Sequence, residues 1–411
     1  MFAGVWKDRR MTATRAHSGR NASPRTAREI NDRLALRLLQ AEGPLTAAQL
    51  KELTGMSRPS VADLVERLQD SGLIEVVGEA GEARRGPNAR LYGIVADRAY
   101  VAGLDVRIES VGVEIADLLG RTVARAALPV APGTDAARIV EDGIELLRAT
   151  ARGAGATALH TVACGAPGLV DPVTGRLSSS GALPAWHGDL VDEVRARLGV
   201  PVLLENEVNL AAVAEQRLGA AQDGDTFVLL WLGGGVGAAV VLDGRLRRGA
   251  SGGAGEVGFL PLPGTTRLPT ATDCDDGYHG LVGSRAVCTL ARAHGLPTGP
   301  TPDAATAARA VRDAIAAGPA ADAFLEELAS RIALGAAAIC AVLDPGRVVL
   351  AGEVGQAGGD AIAERVADHL ARLSPLPTLV QVSAVEGGAV LRGAVVSAMD
   401  AAQEALFAPT G

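Results

Sequence analysis

Residues 227–259, FVLLWLGGGVGAAVVLDGRLRRGASGGAGEVGF, decide the architecture of the larger part of this chain. The stretch opens on an apolar run, turns through Gly233, Gly234, Gly235 and Gly237, and returns through AAVVLDG. It closes on a loop of small residues carrying a single carboxylate, Glu256. The uncharged run Thr226–Leu242 reaches the lower length limit of a membrane span. Its central GGGVG would break a helix, so strand–turn–strand is expected and no membrane segment. The same rhythm extends to both sides. VAGLDVR, SVGVEIADL and TVARAAL predict a hairpin-rich sheet, AARIVEDGIELLRATA a helix, and HTVACGAPGLV a buried strand running into a turn. In VPVLLENEVNLAAVAEQRLG a strand ends by opening a helix at Asn206, and RVVLAGEVG predicts a late strand followed by a helix near 358–372.

Ahead of residue 99 the pattern is different. Residues 1–25 are polar and Arg-rich and predict a disordered lead-in. Arg9, Arg10, Arg15 and Arg20 are not followed by an apolar core, which is unlike a secretory leader. Over 26–96 the expected unit is compact. Ile30, Leu34 and Leu38, with Ala35 and Leu39 beside them, predict an amphipathic helix over 28–41 stopped by Gly43-Pro44. Thr46 caps a short helix through Leu53, with Gly55 as the turn. Ser57 caps a third helix, with Val61, Leu64, Val65 and Leu68 inward and Gly72 at its end. LIEVV and LYGIV predict two strands joined by the loop GEAGEARRGPNAR. Three helices and a β-hairpin in this order make a winged helix-turn-helix. Ser57, Arg58 and Ser60 stand at the start of the third helix, where backbone donors and an Arg reach phosphates and base edges, and Arg67 lies further along it. Arg84 and Arg85 are expected at the wing tip, poised for a minor groove. The alternative is a helical module that binds protein.

Charge follows the same division. The 411 residues carry a net charge of −8. Residues 1–98 hold 16 Lys and Arg against 12 Asp and Glu, and the remainder holds 23 against 35. A basic reader joined to an acidic body fits that polarity. With 48% apolar residues there is enough for two or three cores. Cys164, Cys274, Cys288 and Cys340 form no CxxC, which suits a reduced cytoplasmic setting.

The Gly-rich hairpin, the Glu256 loop and the strand–helix order resemble the ROK family, which groups sugar kinases with sugar-sensing repressors. The resemblance implies an α/β fold: the winged helix-turn-helix followed by a two-lobed, actin-like body. A first lobe at 99–205, completed by 392–411, and a second at 206–391 are then expected. It also implies motifs from which this chain departs. The family's Asp-x-Gly-Gly-Thr phosphate loop is here Asp105-Val106-Arg107-Ile108-Glu109, without the glycines and with a carboxylate where phosphate would lie. Gly233–Gly237 and Ala351-Gly352 persist and are read as turns kept for folding. No GxxxxGK[ST] is present. The catalytic Asn-Asp is replaced by Asn206-Glu207, whose added methylene moves the base by about 1 Å, enough to damage in-line transfer. Glu207 also reads as a plain helix-start carboxylate. The zinc segment has become Cys274-Asp275-Asp276-Gly277-Tyr278-His279-Gly280-Leu281, with Phe259 in place of the zinc-binding His. Only one of the family's four ligands remains, so no metal is expected. Pro167, Gly168, Asp171, Leu183 and Trp186 match the sugar-site segments. The sugar-binding Asn is Ala182, however, and the Glu after the zinc segment falls at Gly283. Glu256 is kept. Gly249-Ala250-Ser251-Gly252-Gly253 satisfies G-x-S-x-G but lacks the strand before and helix after that a nucleophile elbow needs.

Together these features predict a cytoplasmic DNA-binding transcriptional regulator, a repressor of carbohydrate-related genes, with no enzymatic activity, catalytic residue or cofactor. Its expected partners are operator DNA, further copies of itself as a homodimer or homotetramer, and a sugar or sugar-phosphate effector touching Asn206, Glu207 and Glu256. A sugar phosphate would need a cation, and Arg107 is the candidate. A residual hexose kinase and an effector-blind regulator are the alternatives.

Overall fold

The computed structural model describes residues 24–80, 89–178, 184–265, 267–385 and 388–407. The chain forms two compact units: a smaller one ending at Val95 and including Leu406 and Phe407, and a larger one, Ala96–Ala405.

The smaller unit contains α1 (Pro24–Glu42), β1 (Leu45–Thr46), α2 (Ala47–Thr54), α3 (Arg58–Asp70), β2 (Ile74–Ala80) and β3 (Ala89–Ile94). Its sheet runs β1-β3-β2, which with the three helices is a winged helix-turn-helix. Thr46 and Gln49 close a capping box on α2: the Gln49 N–H donates to Thr46 Oγ1 at 3.2 Å and the Thr46 N–H to Gln49 Oε1 at 2.9 Å. Val61, Leu64, Val65 and Leu68 are buried. Two expectations need correction. On α1 the buried stripe is Ala35, Leu36 and Leu39, whereas Ile30 and Leu34 are exposed. A strict four-residue repeat drifts about 40° per step around a helix of 3.6 residues per turn, so Ile30 and Leu34 wind off the inner face. The hairpin strands are also longer than the apolar runs. Gly78, Glu79 and Ala80 pair with Leu91, Arg90 and Ala89 after a bulge at Val77. Once the first pairs set the register, backbone hydrogen bonding extends the ladder through polar residues.

The larger unit begins with β4 (Tyr100–Arg107), β5 (Ser110–Asp117), β6 (Thr122–Pro129), α4 (Ala136–Gly153), β7 (Leu159–Ala166), β8 (Leu169–Val170), β9 (Leu177–Ser178), α5 (Trp186–Leu198) and β10 (Val202–Asn206). Five of these strands form a sheet, β10-β7-β4-β5-β6, and β8 pairs with β9 apart from it. Next come α6 (Glu207–Leu218), β11 (Phe227–Leu232), β12 (Val236–Leu242), β13 (Arg245–Arg247), α7 (His279–Val282), α8 (Ser284–Ala293), α9 (Ala304–Ala317) and α10 (Asp322–Leu343). β14 (Arg347–Ala351), α11 (Gly352–Leu373, broken at Gly359) and β15 (Leu379–Val382) complete a second sheet, β13-β12-β11-β14-β15. Each sheet is built the same way, two antiparallel pairings followed by two parallel ones. Two lobes of one plan are the actin-like architecture.

α12 (Ala389–Leu406) returns to the first lobe, where Arg392 pairs with the fully buried Glu114 and Gln403 donates to the Leu118 carbonyl at 2.7 Å. One core joins β4, β5 and β7 to α4 and α5. The other joins β11, β12 and β14 to α8, α9, α10 and α11. Tyr278 is wholly buried in the second core, its hydroxyl donating to the Ile332 carbonyl at 2.9 Å. The ring fits because residue 335 is glycine: a Cβ there would lie 2.2 Å from the Tyr278 ring. Among the described residues no helix is long and apolar enough to cross a membrane.

Candidate functional site

The smaller unit presents the start of α3. Ser57 is the N-cap, accepting from the Ser60 N–H at 3.3 Å, and the two hydroxyls lie 2.8 Å apart. Ser57, Arg58 and Ser60 are all exposed, and Arg58 makes no ion pair among the described residues. Arg67 stands elsewhere, in the last turn of α3, with Nη2 2.5 Å from Asp32 Oδ1 of α1. That pairing braces two helices and takes Arg67 away from the group at the helix start. Arg84 and Arg85 lie outside the described residues.

In the larger unit, β4 passes into β5 through Ile108-Glu109, with Arg107 paired to Ser110. The hairpin ends where the resemblance would seat nucleotide phosphate, and there charged side chains of the chain pair with one another. Arg107 Nε donates to Asp105 Oδ2 at 2.8 Å and Nη1 to Glu353 Oε1 at 3.0 Å, while the guanidinium lies 6.0 Å from the Trp231 ring centroid. Glu353, in the first turn of α11, lays its carboxylate on the Gly-rich turn: a Cβ at residue 233 would lie 2.3 Å from Glu353 Oε2. None of Gly233, Gly234, Gly235 and Gly237 adopts a left-handed backbone. Gly233 lies in the turn between β11 and β12, its N–H donating to the Gly235 carbonyl at 3.1 Å, and the Glu353 carboxylate rests against it. Glu353 was not singled out from the sequence, since 246 positions separate it from Arg107. The Glu after Gly352 was the available signal.

Glu207 opens α6 and is partly buried. Burial first, then the charge of Asp105, push its carboxyl up to about 7 against the pull of Arg107, with Glu353 and Glu109 adding to the rise. Burial also raises the Asp105 carboxyl, with Arg107 opposing. Asp105 Oδ1 is buried without a hydrogen-bond partner among the described residues.

Asn206 works mainly as a helix cap. Its Oδ1 accepts from the Val208 and Asn209 N–H groups at 2.8 and 3.3 Å, and its Nδ2 donates to the Gly168 carbonyl at 3.0 Å. One amide hydrogen is left for a ligand. Glu205 beside it is also engaged: Oε1 accepts from the Asn206 N–H and Asn209 Nδ2, both at 2.9 Å, and Oε2 from Arg248 Nε at 2.5 Å. The loop after Arg248 leans on the first lobe, so closely that a Cβ at residue 252 would fall 2.0 Å from the Val170 carbonyl oxygen. Glu256 ends that loop. The residue is exposed, yet partial burial of the carboxyl raises its pKa. Asn206 and the Glu256 loop thus converge on the segment 168–170. Among the described residues no hydrogen bond joins Glu256 to Asn206 or Glu207.

The segment 274–283 holds no cluster of three metal-ligating side chains, and none occurs elsewhere among the described residues. His279 Nε2 lies 3.6 Å from Asp275 Oδ1, and its ring lies against Gly283. A side chain at 283 would start 3.0 Å from His279 Cε1, so His279 and Gly283 are coupled choices. Trp186 is buried in the first core, edge-on to His187 at 4.2 Å. His187 is fully buried with neither ring nitrogen bonded among the described residues, and burial pushes its pKa down to about 4. Ala182 and Leu183 lie outside the described residues.

With two lobes of one plan and a phosphate seat altered from within, the fold and site define a sugar-kinase-like body carrying a winged helix-turn-helix. The chain belongs to the ROK family, whose model matches residues 101–401. Residues 29–85 match the MarR family. The chain is 25% identical to the xylose repressor of Bacillus subtilis over 239 residues, 57% of this chain and 61% of that protein. It is 28% identical to a beta-glucoside kinase of Listeria innocua over 237 residues, 57% of this chain and 77% of the kinase. The matched stretch thus spans about three-fifths of the repressor's length. A solved ROK family transcriptional regulator, a homologue of the E. coli MLC protein, superposes with a TM-score of 0.74 at 20% identity, covering 93% of this chain and 98% of that one. At that identity the likeness shows the fold.

Proposed function

We propose that this protein is a cytoplasmic DNA-binding transcriptional regulator, acting as a repressor, whose ROK body senses a metabolite and transfers no phosphate. One observation carries the reading. The site that would cradle nucleotide phosphate is occupied by the chain's own Asp105–Arg107–Glu353 chain of ion pairs, in a protein that also bears an exposed recognition-helix start. A phosphoryl group entering there would meet Asp105, Glu207 and Glu353, and the nearby guanidinium is already shared between two carboxylates. The repressor relatives support the regulatory role, and the unpaired cysteines suit a reducing compartment. In this reading Ser57, Arg58 and Ser60 contact DNA, Arg84 and Arg85 approach it from the wing, and Arg67 is a brace. Two copies would read a palindromic operator. Glu207 and Glu256 would face the effector, with Asn206 contributing its remaining amide hydrogen.

Fluorescence anisotropy with DNA from around the protein's own gene tests the core of this. Tight, salt-sensitive binding to one palindrome over random duplex is the expected result. Equal affinity for every duplex would overturn it. The commitment of Asn206 to capping favours a second reading, a regulator blind to effectors. Calorimetry against a sugar panel separates the two.

A further inference from the structure

The outward face of α3 is acidic. Val61, Leu64, Val65 and Leu68 turn inward. At about 100° per residue, the line opposite them is Pro59, Asp63, Glu66 and Asp70. All four are exposed. Arg58 and Ser60 lie to either side of this line, and Arg67, the other cation of the helix, is bonded to Asp32. Asp63 makes no hydrogen bond or ion pair among the described residues. A helix that only gripped phosphate would carry cations on its outermost line, because neutralising phosphate releases counterions. Carboxylates there oppose such binding. They favour a duplex only where a base offers them a donor.

Asp63 is the carboxylate placed to meet a base. The helix after the turn of a helix-turn-helix enters the major groove by its N-terminal residues. Asp63 stands about 9 Å along the axis from the Ser57 cap, against about 14 and 20 Å for Glu66 and Asp70. A straight helix draws away from the curved groove over that length. Pro59 stands nearer the cap but brings no polar side chain, so Asp63 is the first polar group on the line.

We propose that Asp63 reads a cytosine in each operator half-site, accepting a hydrogen bond from the cytosine N4 amino group in the major groove. The proposal deepens the regulatory reading and rests on it. Cytosine offers a major-groove donor with no acceptor on its own edge. Adenine sets N7 beside its N6 amino group, guanine shows N7 and O6, and thymine shows O4 and a methyl group. A carboxylate only accepts, so it meets lone pairs at each of these bases. Asp63 therefore selects by repulsion as well as by attraction.

Selection of sites from a random duplex library by the full-length protein, Asp63→Ala and Asp63→Asn tests this, with anisotropy on single-position substitutions giving the ratios. The wild type should prefer cytosine at one position of each half-site by about tenfold or more. Asp63→Ala should lose that preference and keep those at the other positions. Asp63→Asn should weaken it and admit adenine, whose N6 and N7 an amide matches bidentately. Asp63 is exposed and unpartnered among the described residues, so neither change removes a contact that holds the fold. If Asp63→Ala enriches the same sequence as the wild type, or loses affinity evenly on every duplex, Asp63 is a solvated residue and the proposal is overturned while operator reading stands. If the wild type itself enriches no sequence, the regulatory reading falls and the proposal with it.

Discussion

Glu207 illustrates how neighbours remake a single carboxyl. Burial, helped by the charges of Asp105 at the end of β4, Glu353 on α11 and Glu109 in the hairpin, lifts it from 4.5 to about 7 against the pull of Arg107. A raised acid favours its protonated form in the native state, so charging it costs stability as pH rises from 4.5 toward 7. The cost is absent below that window and complete above it. Glu207→Gln, which never ionises, should therefore melt higher than the wild type at pH 8 and nearly level with it at pH 4.5. A gap that does not change with pH would show that Glu207 is not the group responsible. The two arginines of α3 should separate in the same residue-by-residue way. Arg58→Ala should lose about 1–3 kcal/mol on the operator and little on random duplex, as for a base contact. Arg67→Ala should leave that discrimination intact and lower stability by about 0.2–1 kcal/mol, the usual scale of a partly exposed pair. The sequence could not tell these arginines apart, because Asp32 lies 35 positions from Arg67 and becomes its neighbour only when α1 packs on α3.

Helix and strand ends were the legible elements. Thr46 and Ser57 are caps in the structure as their residue types suggested, since the first-turn N–H groups take the nearest side-chain acceptor. Thr46→Ala should therefore cost about 0.5–2 kcal/mol in denaturant unfolding of the smaller unit. The inward face of α1 was less legible, because the apolar residues cover more of the helix than the stripe that packs. The setting of α10 could not be read at all. Gly335 in a long apolar helix looks like a weak point, yet it is the place that admits the Tyr278 ring. Gly335→Ala should cost about 1–3 kcal/mol through overpacking, although alanine is the better helix former. A stabilised variant would mean that the ring relaxes freely.

At the scale of the whole molecule, the question is whether a kinase-like body still works as one. Arg107 and Glu353 pair at the segment that replaces the family's phosphate loop, so purified protein with ATP and magnesium should not phosphorylate glucose, N-acetylglucosamine, mannose or xylose. A coupled ADP assay checks this, and turnover above background that Glu207→Gln abolishes would reverse the conclusion. The two sheets share one strand order although no internal repeat is visible in the sequence. Backbone pairing fixes that plan, and many different apolar residues satisfy it.

Local rules account for what the sequence determined by itself: the winged helix-turn-helix, the hairpin at 227–242, the caps, and the departures at Asp105–Glu109, Glu207 and 274–281. Turn chemistry, periodicity and motif spacing all act within a few residues, so they can be read along the chain. The tertiary structure decided the rest. It placed Glu353 against Gly233 and Arg107, turned Asn206 into a cap tied to Gly168, paired Arg67 with Asp32, and left Asp105 Oδ1 buried without a donor among the described residues. Each of these joins residues far apart in sequence, and the field at a buried carboxyl is set by whatever packing brings beside it.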